Sequence, residues 1–208
     1  VDLLVLAKEP VPGRVKTRLS PPCTADQAAR IATAALMDTL AAAMASTADR
    51  VVVGLDGAVG PWCPPTIDVV DQGRGALSDR LEKLWDHAEG PTLQIGMDTP
   101  QAGAGLLDDA FARLVGSDVD AVLGLAFDGG WWAIGLARPV PGVFTGIETS
   151  QADTGLRTLA RLRSLGLRVA LLSQLRDVDT WADALAVRDA APGSAFARAV
   201  DDVSTVLA

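Results

Sequence analysis

The sequence has one histidine, two cysteines and no surplus of positive charge, and each shortage removes a class of function. A formal net charge of −8 leaves no basic footprint with which to neutralise a nucleic-acid backbone, so nucleic acid is not an expected partner. Cys23 and Cys63 stand far apart without CxxC spacing, which describes neither a disulfide scaffold nor a redox pair. His87, among Trp85, Asp86 and Glu89, reads as a solvated residue on a helix face rather than a catalytic base. No apolar run approaches the roughly 20 residues of a membrane span and no signal-peptide pattern is visible, so no membrane partner and a cytoplasmic location are expected. There is no GxxxxGK followed by Ser or Thr, no GxGxxG after the first strand, and no GxSxG. Those gaps remove most support for a P-loop NTPase, a Rossmann dehydrogenase or an α/β-hydrolase.

What is present is a regular alternation of strand and helix signals. At 208 residues the chain is long enough for one α/β domain with a sizeable core, and no linker or internal repeat divides residues 1–208. Apolar runs at 1–7, 51–55, 67–70, 91–96, 118–125, 133–137 and 167–172 read as strands. Thr24-Ala-Asp-Gln27 has the form of a capping box that opens a long helix to about Ser46. Further helices are expected over 76–88, 106–115 and 153–165, from near Trp181, and from about Ser194 to the end. This alternation predicts a mostly parallel sheet flanked by helices.

Chemistry is expected in three loops that follow strands and so share one sheet edge: 8–18, 96–100 and 127–132. The first joins Pro10, Pro12 and Gly13 to four cations, Lys8, Arg14, Lys16 and Arg18. A strand, a basic loop and a helix in succession is how α/β proteins hold phosphate, with backbone N–H groups and fixed cations sharing the attraction. The other two loops contribute one carboxylate each, Asp98 and Asp128. A carboxylate facing a phosphate loop suits Mg²⁺ or Mn²⁺, hard cations that share oxygen ligands with substrate phosphates. Asp98 is the first choice for metal ligand, and Asp128 and Lys16 are assigned to catalysis. In Asp128-Gly129-Gly130-Trp131-Trp132 the glycines either form a tight turn or admit substrate close to the backbone. The two tryptophans, on opposite faces of an extended segment, divide between core and pocket. Asp177 and Asp179 could add carboxylates, although capping of the helix near Trp181 is a sufficient use for Asp179.

The opening Ala7-Lys8-Glu9-Pro10-Val11-Pro12-Gly13-Arg14-Val15-Lys16-Thr17-Arg18-Leu19 resembles the A-K-x-P-x-P-G-x-V-K-T-R-L start of the DUF2064, or rSAM/selenodomain-associated transferase, family. That family belongs to the GT-A-like nucleotide-diphospho-sugar transferases. Ile95-Gly-Met-Asp98-Thr-Pro100, the block from Val122 through Asp128-Gly129-Gly130 to Leu136, Phe144-Thr-Gly146-Ile147 and Asp177-Val-Asp179-Thr180 follow in family order. The resemblance implies a GT-A fold, a nucleotide-bound donor, and a divalent metal near Asp98. Phosphate binding extends with it from the basic loop to Arg80, and an acceptor pocket is expected around Gly129, Gly130, Trp131, Trp132 and Glu148. Asp128 and Glu148 are the candidate bases. The chain departs from the family where Trp131-Trp132 replaces a tyrosine pair, where Thr149-Ser150-Gln151 replaces Trp-Ser-Thr, and where Leu77-Ser78 replaces Leu-Gly.

Three functions follow. The first is metal-assisted glycosyl transfer from a nucleotide-sugar to a small-molecule acceptor. The second is nucleotidylyl transfer from an NTP, which four loop cations and Asp-Thr-Pro in place of Asp-x-Asp favour. The third, motivated by the altered acceptor-side residues, is a nucleotide-binding protein without catalysis. The apolar content also permits a homodimer.

Overall fold

The computed structural model describes residues 1–116, 118–149 and 151–207. Seven strands form one sheet: β1 (Asp2–Lys8), β2 (Arg50–Asp56), β3 (Asp68–Asp71), β4 (Thr92–Gly96), β5 (Ala121–Leu125), β6 (Trp131–Leu136) and β7 (Val169–Leu171). Their order is β3-β2-β1-β4-β6-β5-β7, and only β6 runs against its neighbours. The reversal has a local cause. Between β5 and β6 lie only residues 126–130, enough for a hairpin turn but far short of the crossover that a parallel partner requires. The predicted α/β fold with a mostly parallel sheet is the one observed.

Helices cover both faces. The long helix α1 (Ala25–Ala45) starts where the sequence places it, with Thr24 accepting from the Gln27 amide and Gln27 accepting from the Thr24 amide. With α3 (Ala104–Val115) it covers the face carrying Leu3, Val5, Val53 and Ile95. By length and composition α1 is apolar enough to cross a membrane, which the sequence reading did not anticipate, yet more than half of that window is buried within the fold. Its outer side is covered by α5 (Trp181–Ala190) and α6 (Ala195–Leu207) around Phe196 and Val200.

The opposite face packs Leu4, Val52, Leu123 and Ile134 against α2 (Leu77–Trp85) and α4 (Thr154–Ser164). Helix α2 is shorter than expected. It stops at Trp85, whose indole N–H donates to the buried Gln94 side chain, and His87 falls beyond it with its carbonyl accepting from Arg50. Because β1, β4, β5 and β7 point the same way, the loops that follow them meet at one edge of the sheet. That edge carries the site.

Candidate active site

The basic loop leaves β1 at Lys8 and turns at Pro12 and Gly13, the latter at φ +75°. Pro12 and Gly13 are exposed and shape the loop without lining its cavity. Lys16 is the one non-glycine residue at positive φ among the described residues, at φ 48° and ψ 38°. A left-handed backbone costs an ordinary L-residue about 1–2 kcal/mol. Its consequence is visible in the side chains: that of Lys16 is 9 % exposed, while that of Arg18, two residues on, is 75 % exposed. The Lys16 ammonium lies 2.7 Å from Asp98 and 3.7 Å from Asp179, and the Arg18 guanidinium donates to Asp179 at 2.9 Å. Lys8, Arg14, Lys16 and Arg18 line a cavity of about 220 Å³ that also reaches Asp98 and Asp179.

Beside this cavity stand three carboxylates, Asp128, Asp177 and Asp179, with ligand atoms all within 4.8 Å of one another. They come from two segments that the sheet aligns. Asp128 sits in the β5–β6 turn, where one of its oxygens accepts from the Gly130 amide at 2.7 Å. The segment after β7 is tied to the neighbouring strand ends by the Phe127 amide on the Leu175 carbonyl (3.0 Å) and the Val178 amide on the Asp98 carbonyl (2.9 Å). Asp179 is not the helix cap. Thr180 caps α5, in a capping box with Asp183, and this leaves the Asp179 carboxylate free to face Lys16 and Arg18.

Burial pushes the Asp177 carboxyl up to about 6, with the charges of Asp128 and Asp179 adding to the effect; its own backbone amide and Lys16 act the other way. The Thr99 hydroxyl is buried without a hydrogen-bond partner among the described residues, and Thr99 lines a cavity of about 110 Å³ together with Asp98, Asp128 and Asp177. Clustered oxygen donors and an unsatisfied buried hydroxyl together form a set that a hard divalent cation fits.

A third cavity, of about 270 Å³, opens from Asp98 and Asp128 toward Leu77, Leu81 and Trp131. The tryptophans divide as their alternation requires. Trp131 faces this cavity and stacks on Phe144 at 6.2 Å, whereas Trp132 is buried, borders only the 110 Å³ cavity, and donates its indole N–H to the Ser173 carbonyl at 3.0 Å.

Other residues lie elsewhere. Glu148 is exposed, pairs with Arg157 at 3.6 Å, and lines none of these three cavities. Arg80 is turned inward, donating to Gln72 at 2.9 Å and standing 3.8 Å from Asp56, so it braces the ends of β2 and β3 outside the cavities. Gly129 lines none of the three cavities, and a Cβ there would stand 1.8 Å from the Ala152 carbonyl oxygen. Gly130 does border the cavities. Ser150 lies outside the described residues. Thr99 was not anticipated from sequence; a Thr within a strand-end turn carries no signal of its own.

Comparison with known proteins places these features in a wider set. A family described as "Uncharacterized protein conserved in bacteria (DUF2064)" matches residues 25–151, a span that holds Asp98 and Asp128 but neither the basic loop nor Asp177 and Asp179. No curated protein matches the sequence. Among solved structures, a Desulfovibrio desulfuricans G20 protein provisionally named a nucleotide-diphospho-sugar transferase is 27 % identical, with a TM-score of 0.84 over 97 % of this chain and 95 % of that one. Rv0371c of Mycobacterium tuberculosis H37Rv, solved in complex with manganese, is 23 % identical with a TM-score of 0.54, over 89 % of this chain and 96 % of that one. A nucleotidyl transferase from Methanothermobacter thermautotrophicus is 16 % identical with a TM-score of 0.59, over 95 % and 97 % respectively.

Proposed function

The chain belongs to the DUF2064 family of bacterial proteins, and from that membership and the geometry of its site we propose a divalent-metal-assisted transferase acting on a nucleotide-activated donor. One observation carries the reading: Lys16 joins a four-cation loop to a group of carboxylates at a single sheet edge. Lys8, Arg14, Lys16 and Arg18 hold the donor phosphates. Asp128, Asp177 and Asp179, with Asp98 beside them, hold Mg²⁺ or Mn²⁺. A cation bound there supplies Lewis-acid neutralisation of charge on the leaving phosphate. The loop cations act on the same charge from the basic cavity. The cavity beside Trp131 takes the group to be transferred or its small-molecule acceptor.

Glycosyl transfer from an NDP-sugar is the first reading, supported by the 27 % identity and nearly full-length overlap with the Desulfovibrio protein. Nucleotidylyl transfer is the second. It is favoured by a loop with charge enough for a triphosphate. A thermal-shift panel of NTPs, NDPs and NDP-sugars, with and without Mn²⁺, separates the two, because a ligand selective for the folded chain raises its melting temperature. The largest metal-dependent rise is expected with one NDP-sugar, above its own NDP and NTP. A largest rise with an NTP would transfer the assignment to nucleotidylyl transfer, and no rise with any nucleotide would refute both.

The phosphate role of the loop makes a separate prediction. Arg18→Ala removes an exposed donor whose loss leaves the core intact. It is expected to weaken NDP binding by ~1.5–3 kcal/mol, the range for a charge-assisted contact. Isothermal titration with the matching NDP and Mn²⁺ checks it, and unchanged affinity would remove Arg18 from the phosphate site.

A further inference from the structure

Lys16 is placed in a way that phosphate binding alone does not explain. A phosphate-binding lysine at an open loop would present its ammonium to solvent, as the exposed Arg14 is placed to do. Here a left-handed backbone turns the side chain inward until nine-tenths of it is buried, and its ammonium sits between Asp98 and Asp179. Asp179 is also one of the three clustered carboxylates, and Asp98 shares a cavity with the other two. The ammonium therefore stands where it competes for the oxygens that a divalent cation would use. Two like charges a few ångströms apart repel strongly in such a partly buried place, so both cannot rest on Asp179 at full strength. Nor can a buried ammonium simply leave its carboxylates, because an unpaired charge there carries a heavy desolvation penalty. It needs another anion, and the cavity that Lys16 itself lines is the one with Lys8, Arg14 and Arg18 around it.

We infer that Lys16 is a positioning residue that couples metal binding to phosphate binding: it holds Asp98 and Asp179 as an internal counter-cation, and a phosphate in the basic cavity draws its ammonium off them, freeing the carboxylates for the metal. This rests on the metal site proposed above. By linkage the effect is reciprocal, so metal tightens phosphate by the same factor as phosphate tightens metal. The arrangement disfavours metal without donor and donor without metal, and assembles the site only with both.

The test reads Mn²⁺ affinity from the electron paramagnetic resonance signal of free Mn²⁺. Titrations are run in sodium chloride and in sodium sulfate at matched ionic strength, sulfate serving as a tetrahedral anion that chelates Mn²⁺ weakly. In the wild type, sulfate is expected to tighten Mn²⁺ by about fivefold or more, the lower end of ordinary coupling between sites. Lys16→Met is expected to tighten Mn²⁺ in chloride by a similar factor and to lose the sulfate effect. Lys8→Met, which removes the same charge from the same loop without an ion pair to either carboxylate, is expected to tighten Mn²⁺ in chloride by much less than Lys16→Met does. Melting curves establish that each variant is folded, and Lys16→Gln is the second substitution at the position.

The inference is overturned if Lys16→Met fails to tighten Mn²⁺, if Lys8→Met tightens it equally, or if sulfate acts alike on wild type and Lys16→Met. Asp177→Asn separates the two levels of the argument. If that variant loses Mn²⁺ but Lys16 shows no coupling, the metal site stands and the coupling is wrong. If no protein in the series binds Mn²⁺, both are wrong.

Discussion

Asp177→Asn will bind Mn²⁺ about 10- to 100-fold more weakly than the wild type and yet melt at a higher temperature in buffer without divalent cations. The first half follows from removing one charged oxygen donor, a loss at least as large as those known for residues one shell further out. The second follows from where Asp177 sits. Burial, then the charges of Asp128 and Asp179, raise its carboxyl from 3.8 to about 6. A carboxyl with a raised folded-state value binds more protons in the folded chain than in the unfolded one across that interval. The stability that Asp177 contributes is therefore fully present below about pH 4 and is lost as pH rises through about 6. A shift of this size corresponds to ~3 kcal/mol for a fully buried group. Asp177 is only partly buried, and solvent screening reduces the figure to about 1–2 kcal/mol. The neutral isostere recovers that amount at pH 7, roughly 2–8 °C in melting temperature for a chain of this size. The gap should close at pH 4, where the wild-type carboxyl is protonated too. Mn²⁺ affinity of the wild type should fall on the same scale, up to tenfold per pH unit below about 6, because metal and proton compete for one oxygen. A variant that melts no higher, or that keeps its metal, would make Asp177 a structural residue.

Such a trade, in which a site is less stable for being able to bind, is hard to see in one dimension. The sequence pattern carried the strands and helices because their signals are local: the Thr24–Gln27 capping box, the apolar run before Lys8, the alternation that separates Trp131 from Trp132. It also placed three strand-end loops at one edge, since that follows from parallel strands alone. The partners within the edge did not follow. Asp128 and Asp177 are separated by strand β6, helix α4 and strand β7, and they meet only because β5 and β7 are neighbours in the sheet. Capping of α5 looked like a sufficient use for Asp179 until Thr180 proved to be the cap. Arg80 lies one helical turn into α2, and only the packing of Gln72 across β1 and β2 shows which way it turns. Glu148 carries a charge near the site in sequence, but its neighbour in space is Arg157.

Gly129→Ala tests the same distinction between turn and substrate access, and here the expected effect is on the fold. Gly129 sits at φ +92°, a region that alanine enters at a cost of about 1–2 kcal/mol. Its added Cβ would meet the Ala152 carbonyl oxygen at 1.8 Å and the Ala152 carbonyl carbon at 2.5 Å. Neither atom belongs to a flexible side chain. The contact can be relieved only by moving the backbone ahead of α4 away from the turn, and the Gly155 amide would then lose its 2.8 Å hydrogen bond to the Gly129 carbonyl. Forcing a methyl into a packed contact typically adds 1–3 kcal/mol. The sum is ~2–5 kcal/mol, a fall of roughly 4–20 °C in melting temperature. Gly130→Ala should be milder, because its Cβ meets first the Asp128 carboxylate at 3.1 Å, which can swing aside. Ala152→Gly should not rescue Gly129→Ala, since the obstacle is the carbonyl and not the methyl of Ala152. Thermal melts of the four proteins decide the matter. If Gly129→Ala melts with the wild type and only nucleotide-dependent stabilisation is lost, the glycine serves substrate access. If it melts far lower and Ala152→Gly does not restore it, the turn is held against α4 by the absence of a single side chain. The position of Asp128, and with it the geometry of the carboxylate group, then depends on that packing.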